Sequence, residues 1–346
     1  MTLIRPFAWA AIAAVLTLAA GMAALALDEP PAPAAETPGV AGGHAHGHGA
    51  AGEAHDHDHG ALQGAVDAGL AIQPQAGRRT TLVFTLTNEA GNPVEELMIH
   101  HARKLHVVII GDGMQVIGHI HPQDFDEPIE DGRAKVHFTF PRPGRYLVAG
   151  DIMTEAGPYA EQFVVEVAGE AAEPRAGAGP AAAVAVVEAE EGDRYTAPVL
   201  LDGADRAQGY DVALAGPARI DAGEPATFTF RFARGGAPVT DLRPYLDAPL
   251  HLAVVKQGFG AFLHEHGAVA GEAQAGHEAH GSPASHDDAH GAHDHGHQTH
   301  GYQGPASFGP ELTATVSFPE PGRYYLFAQA AHGDRLLVSR FPVQVE

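Results

Sequence analysis

The stretch LHVVIIGDGMQVIGHIH, residues 105–121, holds the pattern that decides the fold. Two apolar runs flank Asp112-Gly113, a dipeptide typical of a tight two-residue β-hairpin turn. With this turn at the tip, His106 pairs directly with His119, and His121 lies two residues further along on the same face. The hairpin is therefore predicted to bring three imidazoles together on one patch.

The same pattern returns at residues 250–266 as LHLAVVKQGFGAFLHEH, where the histidines recur at a constant offset of 145 as His251, His264 and His266. Further on, FPRPGRY (140–146) returns as FPEPGRY (318–324), at an offset of 178. The 33-residue difference between the offsets is an insertion in the second copy. The chain thus contains an internal repeat, and each copy is predicted to carry one three-histidine site.

Each copy is predicted to be all-β. In the first, alternating apolar and polar residues between Gly- and Pro-containing turns indicate seven short strands, near 70–73, 80–87, 104–110, 115–121, 134–140, 144–152 and 159–167. About seven strands in about 100 residues favour an immunoglobulin-like β-sandwich. Tyr146 and Tyr324, which follow Pro-Gly-Arg, are either corner tyrosines of that fold or simply aromatics buried at a turn.

The repeat and the shifts in composition together divide the chain. The predicted segments are a signal peptide or anchor at 1–26, a disordered His-rich tether at 27–68, a first β-sandwich at 69–168, a linker at 169–204, and a second β-sandwich at 205–346 with a disordered His-rich insertion at 267–305. The tether and the insertion are rich in small and polar residues, and such segments cannot bury enough apolar surface to fold.

The N-terminus has the pattern of a secretory signal: Arg5, then an uncharged Ala/Leu-rich stretch, then Ala24-Leu25-Ala26. We expect cleavage after Ala26. The alternative is a retained anchor, because residues 6–27 carry no charge and about 20 apolar residues span a bilayer. In both cases the remaining chain is predicted to lie in the periplasm or outside the cell, free or anchored to the inner membrane.

The composition favours cations as partners. Acidic residues outnumber basic ones 43 to 20, which gives a net charge of −23 and argues against binding to nucleic acid. The chain has 24 histidines and no cysteine, so disulfides, thiolate metal sites and a cysteine nucleophile are excluded. The sequence gives no indication of the oligomeric state.

Three neutral imidazoles on adjacent strands suit Cu(II) or Zn(II), with water or a carboxylate completing the coordination. The alternative is that the histidines are ordinary polar residues at solvated strand ends. His100 and His101 occur only in the first copy, as auxiliary ligands or plain surface residues. Fourth ligands are weakly indicated, since no candidate is shared by both copies; they are Asp151 (Gln329 in the second copy), His137 and His332.

Two further tracts interleave histidine with glycine and carboxylates, a composition that binds Zn, Cu or Ni with low specificity. The alternative is a spacer without a metal role. The tract histidines are His44, His46, His48, His55, His57, His59, His277, His280, His286, His290, His293, His295, His297 and His300.

No enzyme is predicted. Gly113, His119, His121 and Asp126 nearly satisfy a first cupin motif, but the second copy lacks the acid and neither copy has the later histidine. Blue-copper chemistry needs a cysteine. No nucleophile–base pair and no phosphate-binding glycine loop stands out.

The segments LHVVIIGDGMQVIGHIHP with FTFPRPGRYLVAGD, and LHLAVVKQGFGAFLHEHG with VSFPEPGRYYLFAQ, resemble the YtkA-like group of exported bacterial domains and, more distantly, CopC-type periplasmic copper proteins. This resemblance implies an immunoglobulin-like fold and a role near periplasmic metal handling. The chain departs from CopC-type proteins because it lacks a Met-rich Cu(I) site and an N-terminal ligand histidine. That departure favours Cu(II) or Zn(II).

We therefore expect an exported protein that binds, buffers or delivers a divalent transition metal, with a membrane metal transporter as a possible partner. The alternative is a non-catalytic tandem immunoglobulin-like interaction module, or an accessory subunit of a membrane metal exporter, in which the histidines form no fixed metal site.

Overall fold

A computed structural model describes residues 63–65, 73–87, 92–94, 97–154, 157–170, 183–189, 194–201, 209–271 and 302–346. All of them belong to one compact unit. The described residues are all-β apart from a short 3₁₀ helix, Pro122–Phe125, and so the predicted all-β class is confirmed. Within these ranges, no helix is long and apolar enough to cross a membrane. The predicted signal segment and both histidine tracts lie outside the described residues.

The first repeat contributes two sheets. Its strands are β1 (Gln63–Ala65), β2 (Arg79–Thr87), β3 (Leu105–Gly111), β4 (Val116–Ile120), β5 (Arg133–Thr139), β6 (Gly144–Thr154) and β7 (Gly157–Val167). One sheet has the order β1-β2-β5, and the other contains β7-β6-β3-β4. Strand β1, at 63–65, pairs with β2, so these residues of the predicted tether belong to the sheet.

The connecting range 169–204, predicted to be a linker, contains two strands. They are β8 (Ala183–Glu188) and β9 (Val199–Leu200). Strand β8 adds to the last strand of the second repeat, and β9 adds to β4 of the first. The connection is therefore hydrogen-bonded to both repeats.

The second repeat lies in one continuous sheet, which β8 also joins. Its strands are β10 (Tyr210–Ala215), β11 (Pro225–Arg234), β12 (Ala237–Pro238), β13 (Leu242–Arg243), β14 (Leu250–Lys256), β15 (Phe262–Val269), β16 (Glu311–Ser317), β17 (Gly322–His332) and β18 (Arg335–Val345). The order is β10-β11-β16-β15-β14-β17-β18-β8. Strand β15 pairs with both β14 and β16, so it joins what are two separate sheets in the first repeat.

The alternation of side chains along each strand places the histidines on the face between the repeats. Val107 and Ile109 of β3 point into the core of the first repeat, whereas Val108 and Ile110 point into a separate apolar cluster that also holds residues of the second repeat. Alternate residues of a strand face opposite sides. His106 therefore shares its face with Val108.

The strands of the second repeat show the same alternation between two faces. Leu252 and Val254 belong to that repeat's own core, whereas Ala253 and Val255 join the cluster between the repeats. Burial on both faces explains why these strands read as continuous apolar runs rather than as alternating ones. His251 consequently faces the first repeat.

The predicted hairpin register is wrong by two residues in both repeats. Val108, not His106, pairs with His119, and so His106 lies across from His121. His251 likewise pairs with His266. The reason is a four-residue loop in place of the two-residue turn: Met114 takes a left-handed conformation (φ 54°), and its amide donates to the Gly111 carbonyl. A shift of two residues keeps every side chain on its predicted face.

Each repeat buries a tyrosine after the Pro-Gly-Arg turn. The Tyr146 hydroxyl donates to the Arg142 carbonyl at 2.8 Å, and the Tyr324 hydroxyl donates to the Glu320 carbonyl at 2.9 Å. A tyrosine hydroxyl that bonds backbone a few residues upstream is the arrangement of the tyrosine corner in immunoglobulin-like sandwiches.

Candidate metal centre

The two histidine triads form a single cluster instead of two separate patches. Ring centroids of His106 and His264 lie 5.2 Å apart, those of His119 and His251 lie 5.3 Å apart, and those of His119 and His264 lie 5.1 Å apart. His106, His119, His121, His251 and His266 are all buried, and the side chain of His264 is 2% exposed. All six predicted fixed-site histidines therefore meet where the repeats pack together.

Hydrogen bonds set the tautomers of the first triad. His106 donates Nε2–H to the His100 carbonyl at 2.9 Å, His119 donates Nδ1–H to the Gln329 amide oxygen at 2.8 Å, and His121 donates Nδ1–H to the Asp124 carboxylate at 2.8 Å. Each of these oxygens is an acceptor, so the bonded ring nitrogen carries the proton. The other nitrogen of each neutral ring then presents a lone pair.

Two of these three nitrogens lie close to the third. His106 Nδ1 lies 3.1 Å from His119 Nε2 and 3.2 Å from His121 Nε2. No proton of the neutral rings lies between the three nitrogens. Two nitrogens bound to one tetrahedral Zn(II) at the usual Zn–N length are about 3.3 Å apart, which is nearly this spacing. The cluster is therefore complementary to a cation that accepts imidazole nitrogens.

Two histidines of the second triad have the same tautomers as their counterparts in the first. His251 donates Nε2–H to the Tyr245 carbonyl at 2.8 Å, and His264 donates Nδ1–H to Asp151 at 2.9 Å. Tyr245 is the counterpart of His100 at the offset of 145. The remaining nitrogens, His251 Nδ1 and His264 Nε2, are buried without a hydrogen-bond partner in the described part of the chain. Buried polar atoms nearly always have a partner, so two orphaned lone pairs indicate a ligand.

The acceptors are exchanged between the repeats. Gln329 of the second repeat accepts from His119 of the first, and Asp151 of the first accepts from His264 of the second. Asp151 and Gln329 are counterparts at the offset of 178. A contact that recurs with the two partners exchanged is what a twofold axis produces.

A second exchanged pair supports the same axis. Arg340 donates to the Met114 carbonyl, and its counterpart Gln162 donates to the carbonyl of Phe259, the counterpart of Met114. The two repeats thus pack about an approximate twofold axis that passes near the histidine cluster.

Burial lowers the pKa of five cluster histidines. A charged imidazole would lose its hydration, and neighbouring imidazoles would repel it, so the pKa of these rings lies below the usual 6.5 in His106, His119, His121, His251 and His266. For Asp124, burial alone would raise the pKa, but the His121 hydrogen bond and the Arg103 charge lower it overall. Neutral imidazole is the form that binds metal.

Three groups of histidines have candidate ligand atoms within 4.8 Å of one another among the described residues. They are His100/His101/His266, His251/His264/His266 and His106/His119/His264. His264 belongs to two groups, and so does His266. His100 and His101, which the sequence left as auxiliary ligands or surface residues, therefore lie beside the cluster and are partly exposed.

The predicted fourth ligands are Asp151, His137 and His332. Of these, Asp151 lies behind a cluster histidine, as does its counterpart Gln329, and the other two make contacts elsewhere. Asp151 and Gln329 hydrogen-bond the far nitrogens of histidines, which orients those rings instead of completing the coordination. His137 contacts Thr81 and Glu127, away from the cluster. His332 bonds Asp241 and Tyr210. The matched positions of Asp151 and Gln329 in the two copies were the sequence signal for this supporting role.

Comparisons with known proteins give a family and distant structural likeness. No curated protein matches the chain. Among solved structures, E. coli alpha-2-macroglobulin matches 82% of this chain and 23% of its own at 12% identity (TM-score 0.21). A putative membrane anchored protein from Corynebacterium diphtheriae matches 82% and 56% at 9% identity (TM-score 0.19).

The β-glucuronidase of Parabacteroides merdae matches 82% of this chain and 24% of its own at 7% identity, with a TM-score of 0.17. The chain thus spans between about a quarter and just over half of the solved chains named here. One family model matches residues 61–169 and 205–346, which include most of both repeats and leave out the connecting range. The chain therefore belongs to the family described as a domain of unknown function, DUF8832.

Proposed function

We propose that this protein binds a divalent transition metal, Cu(II) or Zn(II), at the buried histidine cluster between its repeats. The observation that carries the proposal is the close approach of His106 Nδ1 to His119 Nε2, at 3.1 Å, and to His121 Nε2, at 3.2 Å. The far nitrogen of each of these three rings already donates to an acceptor. Such outer hydrogen bonds fix the tautomer and raise the basicity of a metal-bound imidazole.

The chemistry of the ligands favours these two metals. All six histidines offer imidazole nitrogens, which suit Zn(II), Cu(II) and their neighbours, and the chain has no cysteine to select softer ions. The His251 Nδ1 and His264 Nε2 lone pairs supply further nitrogens to the same cluster. The role is binding, buffering or delivery of metal without catalysis, with a membrane metal transporter as the partner.

The location and the fold class belong to the same proposal. The N-terminal signal pattern supports export to the periplasm or the cell exterior, as a free or an inner-membrane-anchored protein. The two tyrosine corners support tandem immunoglobulin-like sandwiches. The His-rich tracts would act as a loose reservoir of bound metal that supplies the fixed cluster.

The test uses the full-length chain with the fourteen tract histidines replaced by asparagine, titrated calorimetrically with Cu(II) and with Zn(II). Submicromolar binding, lost in His119→Ala and retained in His137→Ala, is the expected result. His137 is the matched control because it is a partly buried histidine outside the cluster. If the tract-substituted chain binds neither ion, the proposal fails, and the metal-free interaction module becomes the better interpretation.

A further inference from the structure

The three histidine groups form a continuous series from the protein surface to its interior. His100 and His101 are partly exposed, and their neighbours Met98 and Ile99 are 45% and 47% exposed. The His101 ring stacks on that of His266, with centroids 3.5 Å apart. This outer group is therefore in direct contact with the buried cluster.

Shared members link successive groups. His266 belongs to the outer group and also to the group with His251 and His264. Its ring centroid lies 4.6 Å from that of His251 and 4.8 Å from that of His264. His264 in turn belongs to a third group, with His106 and His119. An ion can thus pass from group to group while it stays bound to the shared ring.

The approximate twofold axis shows that this surface connection exists on one side only. The counterparts of His100 and His101 are Tyr245 and Leu246, in a turn with the same left-handed conformation (φ 47° at both His101 and Leu246). Tyr245 is 6% exposed, and its ring packs on that of Tyr195 with centroids 5.5 Å apart. Aromatic side chains close one side, whereas imidazoles occupy the equivalent place on the other.

We propose that His100, His101 and His266 form an outer metal subsite through which the buried centre is loaded and emptied. The inference rests on the proposed metal binding and adds a route to it. Transfer is ligand exchange between neutral imidazoles: one N–metal bond forms as another breaks, and no proton or electron changes place. The ion, held by His100, His101 and His266, takes up His251 and His264 as it releases the outer pair and keeps His266. It then takes up His106 and His119 as it releases His251 and His266 and keeps His264.

The experiment measures Cu(II) loading and release in the full-length chain with its fourteen tract histidines replaced by asparagine. The Cu(II) absorption band is followed after rapid mixing with Cu(II), and then after mixing of the loaded protein with excess EDTA. The variant is His100→Gln with His101→Asn. Asparagine tolerates the left-handed conformation at position 101, and the His100 backbone carbonyl that holds His106 is unchanged.

A loading route changes rates without changing equilibrium. The expected result is that loading and release both slow by about tenfold, while the dissociation constant stays the same. A purely structural role for the pair would not slow the two rates equally. His137→Gln is the control and should leave both rates unchanged. Should the double variant fail to fold, His100→Gln alone carries the same test with a smaller slowing.

Three outcomes would overturn the inference. Unchanged rates in the folded variant would mean that the ion enters elsewhere. This result would not contradict the proposed metal centre itself. A weaker equilibrium affinity with faster release would make the pair ligands of the buried ion instead of a route to it. Absence of Cu(II) binding in the tract-substituted parent would remove the centre and the route together.

Discussion

His264 Nδ1 of the second repeat lies 2.9 Å from the Asp151 carboxylate of the first. The equivalent bond in the opposite direction runs from His119 to Gln329 at 2.8 Å. The two bonds occupy equivalent places but differ in charge, because one acceptor is a carboxylate and the other an amide. A carboxylate behind a metal-bound imidazole strengthens its donation more than a neutral acceptor does. Under the proposed metal binding, the two halves of the cluster are therefore unequal as ligands.

Asp151→Asn tests this inequality. The substitution keeps an acceptor oxygen of the same shape and removes its charge, so we expect Zn(II) affinity to fall by about tenfold or more. The measurement is a competition titration against a chelator in the tract-substituted chain. The matched change, Gln329→Glu, places a carboxylate behind His119 and should tighten binding. Equal affinity in the parent and in Asp151→Asn would contradict the role assigned to this carboxylate.

The metal-free protein should lose stability as the pH falls below about 6.5. The pKa of five buried cluster histidines is lower in the folded protein than in the unfolded chain, mainly because of burial. Below the unfolded pKa the unfolded chain therefore binds more protons, so the free energy of unfolding decreases, by at most about 1.4 kcal/mol per histidine per pH unit.

Urea denaturation in EDTA at about pH 7.5 and about pH 5.5 measures this dependence. The midpoint should be clearly lower at the acidic pH in the parent, and His137→Gln should behave as the parent does. Equal midpoints at the two pH values would show that the buried rings do not govern acid stability.

Gly267→Ala should destabilise the protein. Gly267 follows His266 on β15, and an added Cβ would lie 2.6 Å from the Thr313 carbonyl oxygen and 2.9 Å from Leu250 Cβ. Backbone cannot yield as a flexible side chain does, so we expect a loss of about 1–3 kcal/mol in the free energy of unfolding. Gly113→Ala is the control, since its nearest atom is 4.0 Å away. A Gly267→Ala midpoint equal to that of Gly113→Ala would contradict the close approach.

Each tyrosine corner should contribute measurably to stability. Tyr146→Phe and Tyr324→Phe each remove one hydroxyl that donates to a backbone carbonyl, at 2.8 and 2.9 Å. We expect each to cost about 1 kcal/mol of unfolding free energy, measured by urea denaturation. Tyr159→Phe, whose hydroxyl donates to the exposed Glu161 side chain, serves as the comparison and should cost less. No loss in either corner variant would mean that these hydrogen bonds stabilise nothing.

Sequence patterns were enough to predict the strands and the face on which each histidine lies. They did not predict how the two triads meet. The common face of His106, His119 and His121 could be predicted because side chains alternate between the two faces of a strand. The register was wrong because the left-handed residue in the loop is Met114, a type that gives no turn signal.

The meeting of the triads could not be predicted, because it depends on packing between the repeats. One indication was present: the runs VVII (107–110) and AVV (253–255) do not alternate, and such strands are buried on both faces. Even so, nothing local to Asp151 indicates that it reaches His264, 113 positions away along the chain.

The connecting segment, whose strands β8 and β9 pair with opposite repeats, changes how the histidine cluster assembles. Two halves that exchange equivalent contacts resemble the subunits of a twofold dimer, and separate subunits would meet only at sufficient protein concentration. Because the two repeats are joined in one chain, they meet at an effective concentration set by the connecting segment. The meeting of the two histidine triads therefore does not depend on protein concentration.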